Sequence, residues 1–346
     1  MAGGQDDRVR IRILLSSALV SVAALAGGCF LIAEDSRAVA EVEATAMVSP
    51  SLVLTRHIVS TDTPLPTSTE EPVFSGERAM FFVAAQMAIG PRPTGSVASR
   101  EVGDYILGEL DAAGWHTETQ AFAYQGVEGR NLIGRAGSSE PGGPFLVLAA
   151  HYDTRREADM DPIDPTAPVP GANDGASGVA VLLELAYVLD LNRVNSDVWF
   201  VFFDAEDNGR LDNWEWIVGS REFADRLEGR PDYVIVVDMV GDADQQIYYE
   251  ANSYADLQGH IWQVAHELGY GEYFIKEVRH SMLDDHIPFV ELGIPAVDII
   301  DFDYPYWHTT EDTLDKVSAA SLGRVGRTLE VFLESGAPIA NDGSPD

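Results

Sequence analysis

Four short apolar runs, interrupted only by Asp298 in the last of them, constrain the fold of this chain more than any other feature. Each is rich in β-branched or aromatic residues, which is typical of strands covered on both faces of a sheet. Helical periodicities alternate with them, and this predicts an α/β fold: a single domain with a mixed, mostly parallel central sheet covered by helices on both faces. The predicted strands are Phe145–Ala150, Val198–Phe203, Val234–Val237 and Ala296–Ile300. The predicted helices are Val102–Ala112, Gly178–Leu191, Ser220–Leu227, Tyr254–Leu268 and Ser318–Leu333.

Polar residues follow several of these strands at the point where each strand ends. Ligands of such sheets bind beyond the carboxyl ends of the strands, so we expect these side chains to converge at one edge. Two histidines and several carboxylates, without cysteine, are a ligand set suited to zinc, as one ion or as a pair that shares a carboxylate. The residues are His151, Asp174, Glu206, Asp207, Asp238 and His308.

Each of these residues also has an ordinary structural explanation. Asp174 could cap the helix that begins at Gly175. Glu206 and Asp207 could be a solvated loop pair, and Asp238 could bond to backbone amides. Six such residues at the ends of successive core strands are nevertheless not expected by chance, so their joint placement favours a common site.

The charge balance excludes some classes of partner. The 346 residues include 56 acidic and 22 basic side chains, which gives a net charge of −34. Nucleic acid binding depends on clustered Lys and Arg, so no nucleic acid partner is expected. The folded part should not bind an anionic membrane surface either. The single cysteine, Cys29, excludes an internal disulfide framework and a Cys-based zinc cluster.

The N-terminus has the pattern of an export or anchoring segment. The run Ile13–Ala33 is uncharged, and at about 1.5 Å per residue a helix of this length would span a bilayer core of about 30 Å. Arginines precede it, which predicts that the remainder is exported. Three interpretations stay open: an uncleaved signal anchor, a cleaved signal peptide, and a lipoprotein modified at Cys29 after Ala26–Gly28, which resembles a lipobox. We therefore expect an extracytoplasmic protein that is membrane-anchored, secreted or a lipoprotein.

The composition divides the chain into four parts. Residues 1–33 form the signal anchor or signal peptide, and residues 34–72 form a linker rich in Ser, Thr and Pro with little to bury. The catalytic domain is predicted over residues 73–337, and residues 338–346 are expected to be a disordered tail. Only the N-terminal segment is expected to contact a membrane. The sequence does not predict an oligomeric state.

Seven motifs carry a resemblance to a known family. They are Gly90–Ser96, His151–Asp153, Gly171–Gly178, Phe202–Asp207, Gly219–Arg221, Asp284–Phe289 and Trp307–Thr309. Together they resemble the zinc-dependent exopeptidase family M-28, which includes bacterial aminopeptidases and animal-type glutaminyl cyclases. The resemblance extends from about Glu77 to Leu333 and implies a zinc-exopeptidase-like α/β/α sandwich.

The resemblance implies a centre that holds one or two zinc ions. His151 and Asp238 would bind one ion, and Asp207 and His308 would bind the other. Asp174 would bridge both. One departure lies in this set, because family members commonly have Glu at the position of Asp207. Asp is one methylene shorter, so its metal must lie closer to the strand or be held less tightly.

The resemblance also implies roles around the metal. Glu206 would be the general base, and Asp153 would orient His151, as buried ligand histidines usually require. Asp285 would line the pocket and accept a hydrogen bond. The acidic loop Arg155–Pro170 is a second departure, and we expect it to form part of the site rim.

Two enzymatic activities at peptide or protein N-termini are compatible with this resemblance. The leading expectation is an aminopeptidase, which hydrolyses the N-terminal peptide bond with Glu206 as general base. The alternative is a glutaminyl-peptide cyclotransferase, which converts an N-terminal Gln to pyroglutamate with release of ammonia. For that reaction Tyr304, Tyr306 and Trp307 would wall a small dry pocket. A non-catalytic binding domain on the same fold is a third possibility, and the complete set of base and ligands argues against it.

Overall fold

The computed structural model describes residues 73–136 and 143–336. The predicted segments 1–33, 34–72 and 338–346 lie outside the described residues. The helices are α1 (Gly76–Ile89), α2 (Val97–Ala112), α3 (Ala176–Val188), α4 (Val218–Asp225), α5 (Ala255–Glu267), α6 (Ile287–Glu291) and α7 (Ala319–Glu334). The strands are β1 (His116–Tyr124), β2 (Val127–Ala136), β3 (Phe145–His151), β4 (Asp197–Phe203), β5 (Val234–Asp238), β6 (Ile247–Glu250), β7 (Phe274–His280) and β8 (Ala296–Ile300).

Six of the strands form one sheet in the order β1-β2-β4-β3-β5-β8. Strands β4, β3, β5 and β8 run parallel to one another. Strands β1 and β2 form an antiparallel hairpin, and β2 also runs antiparallel to β4. Strands β6 and β7 pair in a separate two-stranded sheet. The predicted mixed, mostly parallel sheet is therefore confirmed.

Helices cover both faces of the sheet because the strand side chains alternate between two hydrophobic clusters. Leu146 and Leu148 of β3 belong to a cluster with residues of α1, α2, α3, α5 and α7. Phe145 and Val147 belong to a second cluster with residues of α4 and α6. Every residue of β3, β5 and β8 is buried, which explains why these strands are apolar in the sequence apart from His151, Asp238 and Asp298.

A glycine allows α3 to approach the sheet closely. A Cβ atom at Gly178 would lie only 2.1 Å from the backbone oxygen of Val237 in β5. No side chain fits at that distance, so the close packing of α3 on β5 depends on glycine. This packing brings the segment before α3, which contains Asp174, against the carboxyl ends of β3 and β5.

The predicted strands and helices agree with the structure to within a few residues at their ends, but several elements were not predicted. Helix α1 has apolar side chains on its solvent side, such as Phe81 with 72% of its surface exposed, and so it lacks a clear helical periodicity. Strands β1, β6 and β7 are only partly buried and carry polar residues, so they do not form apolar runs. Within residues 73–136 and 143–336, no helix combines the length and apolar character needed to span a bilayer. The run Ile13–Ala33 lies outside those ranges.

Candidate metal centre

The six polar residues expected at the carboxyl ends of the strands lie together. Two of them end strands β3 and β5, and the others lie in the turns after β3, β4 and β8. Five are buried, and Glu206 is partly exposed. The complete set is His151, Asp174, Glu206, Asp207, Asp238 and His308.

A first group of potential ligands surrounds the imidazole of His151. Its Nε2 atom lies 3.1 Å from Oδ1 of Asp174 and 3.1 Å from Oδ1 of Asp238. Each of the three residues offers one ligand atom, and these atoms lie within 4.8 Å of one another. This spacing is compatible with a single metal ion among the three atoms.

A second group shares Asp174 with the first. Nε2 of His308 lies 2.8 Å from Oδ1 of Asp207 and 3.7 Å from Oδ2 of Asp174. The two carboxylate oxygens of Asp174 therefore face different groups, as a bridging ligand requires. The alternative role of Asp174 as a helix cap does not apply, because Gly175 is the N-cap of α3 and no side chain caps it.

The donor set fits a divalent metal such as zinc. The atoms are imidazole nitrogens and carboxylate oxygens, which zinc binds in proteins. Oδ2 of Asp207 is buried and has no hydrogen-bond partner among the residues that the structure describes. An isolated buried carboxylate oxygen is costly, and Asp174 and Asp238 place two more carboxylates close by. A divalent cation would supply the positive charge and the coordination that these side chains lack.

The pKa values at the centre reflect an excess of negative charge. Burial alone would lower the pKa of His308, but the carboxylates of Asp207 and Asp159 outweigh it and raise that pKa to about 9. Burial and the charge of Asp174 raise the pKa of Asp207 to about 6. His308 and Asp207 thus both hold their protons more tightly than usual, which is expected where carboxylates outnumber cations.

The backbone is strained on several sides of this centre. Ala205, Met239 and His308 have φ angles of 61°, 45° and 57°, in the left-handed region that non-glycine residues rarely adopt. Ala205 precedes Glu206, and Met239 follows Asp238. Such strain costs about 1–3 kcal/mol per residue and concentrates at functional sites, where the surrounding structure enforces it.

Asp153 lies beside His151 and also holds the turn after β4. Its Oδ1 atom is 3.6 Å from Nδ1 of His151, slightly beyond hydrogen-bond range. The same carboxylate accepts hydrogen bonds from the backbone N–H groups of Glu206 at 3.0 Å and Asp207 at 3.3 Å. Asp153 thus lies next to the Nδ1 atom that it is expected to orient, and it holds the backbone of the segment that carries Glu206.

Asp312, which was not singled out in the sequence, fixes the backbone that carries Asp174. Its two carboxylate oxygens accept hydrogen bonds from the N–H groups of Asn173 at 2.8 Å and Asp174 at 3.1 Å. The hydroxyl of Tyr304 donates to the same carboxylate at 2.7 Å. Tyr304 is buried and does not line the pocket, contrary to expectation; it supports Asp312 instead.

The loop Arg155–Pro170 contacts the second ligand group. The buried guanidinium of Arg155 donates to both carboxylate oxygens of Asp159, at 2.7 and 2.8 Å, and to the backbone oxygen of Asp207 at 2.8 Å. Asp159 in turn lies 3.5 Å from Nδ1 of His308. No residue of this loop is among those that line the pocket, so its expected place at the rim stays a prediction, and the structure places the loop against the two potential ligands Asp207 and His308.

A pocket of about 210 Å³ opens beside the ligand groups. Trp307 lines it and stacks on His308 with ring centroids 3.7 Å apart. Tyr306 does not line the pocket; its ring contacts Tyr304 and Lys316. The lining residues are Asp174, Glu206, Asp207, Arg210, Trp216, Asp238, Met239, Met282, Leu283, Asp284, Ile300, Phe302, Trp307 and His308.

The structure places Asp284, rather than the expected Asp285, in the pocket wall. Asp285 is fully buried and is not among the lining residues. Burial and the charge of Asp238 raise the pKa of Asp284 to about 7. Burial, together with the carboxylates of Asp207 and Asp284, also raises the pKa of Glu206 well above its usual range. Carboxyl groups whose pKa values are raised in this way can exchange a proton with a bound substrate.

Comparison with known proteins identifies relatives with both expected activities. The glutaminyl-peptide cyclotransferase-like protein of Bos taurus is 27% identical over 285 residues, which cover 70% of this chain and 71% of the relative. A leucine aminopeptidase precursor from Bacteroides thetaiotaomicron superposes with a TM-score of 0.71 at 31% identity, over 78% of this chain and 99% of that one. A glutaminyl cyclase from the same organism gives the same TM-score and identity, over 78% and 100%.

These relatives are enzymes. The sequence predicts an enzyme for this chain too, because the general base and the ligand residues are all present. The expected zinc-exopeptidase-like fold is confirmed by the solved structures, which match over nearly their whole length. The model of "Peptidase family M28" matches residues 131–333, more than half of the chain. This chain therefore belongs to peptidase family M28.

Proposed function

We propose that this enzyme is a glutaminyl-peptide cyclase, which closes the N-terminal glutamine of a peptide to pyroglutamate and releases ammonia. The observation that carries the proposal is the small pocket beside the ligand groups. Its walls include Trp307, Phe302 and Ile300, while Glu206 and Asp284 offer carboxyl groups to it. A pocket of this size suits one side chain, and apolar walls limit the access of water that would hydrolyse the amide. The similarity to proteins named as glutaminyl cyclases supports the same conclusion.

In this proposal His151, Asp174, Asp207, Asp238 and His308 hold zinc, as one ion or as two. When bound there, the metal would polarise the side-chain carbonyl of the substrate glutamine. Asp153 and Asp159 lie next to the Nδ1 atoms of the two histidines and would orient the rings, so that Nε2 of each would be available as a ligand.

Glu206 moves the proton that ring closure requires. The lone pair of the substrate's α-amine attacks the Cδ carbonyl carbon, and a carbon–nitrogen bond forms. Glu206 takes the proton that the amine loses and gives it to the departing amide nitrogen. The bond between Cδ and that nitrogen breaks, and ammonia leaves without consumption of water. Asp284 lies close enough to raise the pKa of Glu206, which favours the brief protonation of this carboxyl group.

Aminopeptidase activity is the second candidate, and one observation favours it. The two ligand groups share Asp174, so the centre has the geometry of a two-metal site, which is suited to hydrolysis. Glu206 would then take a proton from an attacking water and return it to the leaving amine.

A product analysis separates the two candidates. The purified protein is given one peptide that begins with Gln and one that begins with Leu, and the products are weighed by mass spectrometry. Loss of ammonia alone from the Gln peptide, with the Leu peptide intact, is the result we expect. Release of a free amino acid from either peptide would instead establish an aminopeptidase. The Glu206→Gln variant, which should be inactive, controls for spontaneous cyclisation.

We also propose that the substrates are met outside the cytoplasm. The arginine-flanked apolar run Ile13–Ala33 supports export. Fractionation of cells that produce the full chain tests this, since recovery from the cytoplasm would contradict it.

A further inference from the structure

Arg210 lies at the pocket with a side chain that makes no polar or ring contact with the residues that the structure describes. The residue follows Asp207 by three positions and has a left-handed backbone with φ of 67°. Its backbone N–H donates to the oxygen of Trp214 at 2.8 Å, which fixes the main chain at this point. The side chain is exposed. The backbone is therefore held in place while the guanidinium is free to meet a ligand.

The free guanidinium is unusual in so acidic a chain. Over the described ranges, Arg210 is the one Lys or Arg whose side chain makes no hydrogen bond, ion pair or ring contact with a described residue. Arg156, by contrast, pairs with the exposed Asp212 at 2.7 Å. With 56 acidic residues in the chain, partners for a cation are abundant. The lack of one at Arg210 suggests that its partner comes from outside.

The residues that line the pocket indicate the chemistry of that partner. Arg210 is the one Lys or Arg among the described residues that line it, and five carboxyl groups line it as well. Three of those groups, from Asp174, Asp207 and Asp238, already belong to the ligand groups around the histidines. A substrate whose first residue fills the pocket places its second residue at the opening, one extended residue or about 3.5 Å further out. A carboxylate there meets the guanidinium.

We infer that Arg210 is a specificity-determining residue, which binds a carboxylate on the second residue of the substrate. The enzyme accordingly prefers peptides in which an acidic residue follows the N-terminal one. This inference rests on the proposed action at peptide N-termini. The net negative charge of the protein repels acidic peptides at long range, but salt screens that repulsion beyond about 8 Å, whereas an ion pair at the opening acts at contact distance.

The test compares two peptides that differ only at the second residue, Gln-Glu and Gln-Gln, each in the same longer sequence. The measured quantity is the ratio of their kcat/KM values for ammonia release by the full chain. We expect the Arg210→Gln variant to lower the Glu-to-Gln ratio about two- to fivefold, which is the effect of a solvent-exposed ion pair. Arg210→Lys should retain part of the preference. The change should appear in KM and should disappear in about 1 M salt, where screening reaches about 3 Å.

Arg226→Gln is the matched control, since it removes the same charge from a surface position just after α4 that does not line the pocket. This control should leave the ratio as in the unmodified protein. An unchanged ratio in Arg210→Gln, or an equal change in Arg226→Gln, overturns the role of Arg210 while ammonia release still supports the cyclase. If the enzyme instead releases amino acids, the cyclase proposal fails, and the same ratio measured on Leu-Glu and Leu-Gln peptides decides the role of Arg210. Turnover of neither peptide type refutes both.

Discussion

Replacing Tyr304 by Phe tests whether this residue supports the candidate metal centre through Asp312 or lines the pocket. The change removes only the hydroxyl that donates to Oδ1 of Asp312 at 2.7 Å. A hydrogen bond to a charged group contributes about 1.5–3 kcal/mol. Because Oδ1 keeps the bond from the N–H of Asn173 at 2.8 Å, we expect the lower half of that range, about 1.5–2 kcal/mol of unfolding free energy at about pH 8.

The unfolding free energy lost in Tyr304→Phe should be larger at high pH than at low pH. Burial and the charge of Asp174 raise the pKa of Asp312 to about 7 from an ordinary value of 3.8. A carboxyl group whose pKa is raised by folding lowers the stability of the protein as the pH rises from the ordinary value of 3.8 towards the folded value, and the loss is complete above about pH 7. Without the hydroxyl of Tyr304 the ionised carboxylate of Asp312 is less stable still. The Tyr304→Phe variant should therefore lose more unfolding free energy at about pH 8 than at about pH 5. At about pH 5 Asp312 is protonated, and a loss of about 0.5–1 kcal/mol is expected for a neutral hydrogen bond.

Urea denaturation of metal-free protein, followed by tryptophan fluorescence at both pH values, measures these differences. Tyr306→Phe is the control, because the ring of Tyr306 makes its contacts with Tyr304 and Lys316 and is only partly buried. That variant should stay within about 0.5 kcal/mol of the unmodified protein. If Tyr304→Phe kept full stability at both pH values and instead raised KM, Tyr304 would be a pocket residue and its role as a support of Asp312 would be refuted.

Five further changes test the centre and the packing of the helices near it. Glu206→Gln should retain its metal by elemental analysis and lose at least about 100-fold in kcat, and a rate equal to that of the unmodified enzyme would refute its role as base. His308→Ala should lose metal from the second ligand group, so an unchanged metal content would remove it from the set. Asp159→Asn should weaken metal affinity about tenfold or more in a chelator competition, because the carboxylate lies 3.5 Å from the imidazole Nδ1; equal affinities would show that it orients nothing. Gly178→Ala should cost about 1–3 kcal/mol, since its Cβ would lie 2.1 Å from a backbone oxygen of β5. Gly108→Ala in α2, where a Cβ would meet nothing within 4 Å, should instead stabilise by about 0.5–1 kcal/mol, and equal effects of the two changes would contradict this packing.

The central strands and the ligand groups could be predicted from the sequence because their signals are local. A strand buried on both faces is largely an apolar run, and the residue types at its carboxyl end are read directly from the sequence. The general rule for parallel sheets then placed His151, Asp207 and Asp238 at one edge. The outer strands β1, β6 and β7 were missed because partly buried strands carry mixed residues that resemble loops.

The supporting interactions depended on the tertiary structure. Asp284 and Asp285 are adjacent and chemically identical, so the sequence could not decide which of them faces the pocket. The bonds from Tyr304 to Asp312, and from Arg155 to Asp159, join side chains whose directions are set by the packing of distant segments and turns. By itself the sequence determined which residue types stand at the ends of buried strands, because burial imposes a local pattern. The structure alone decided which side chains meet in the candidate metal centre, which support those side chains and which are left to contact a substrate, because side-chain direction is a property of the packed whole.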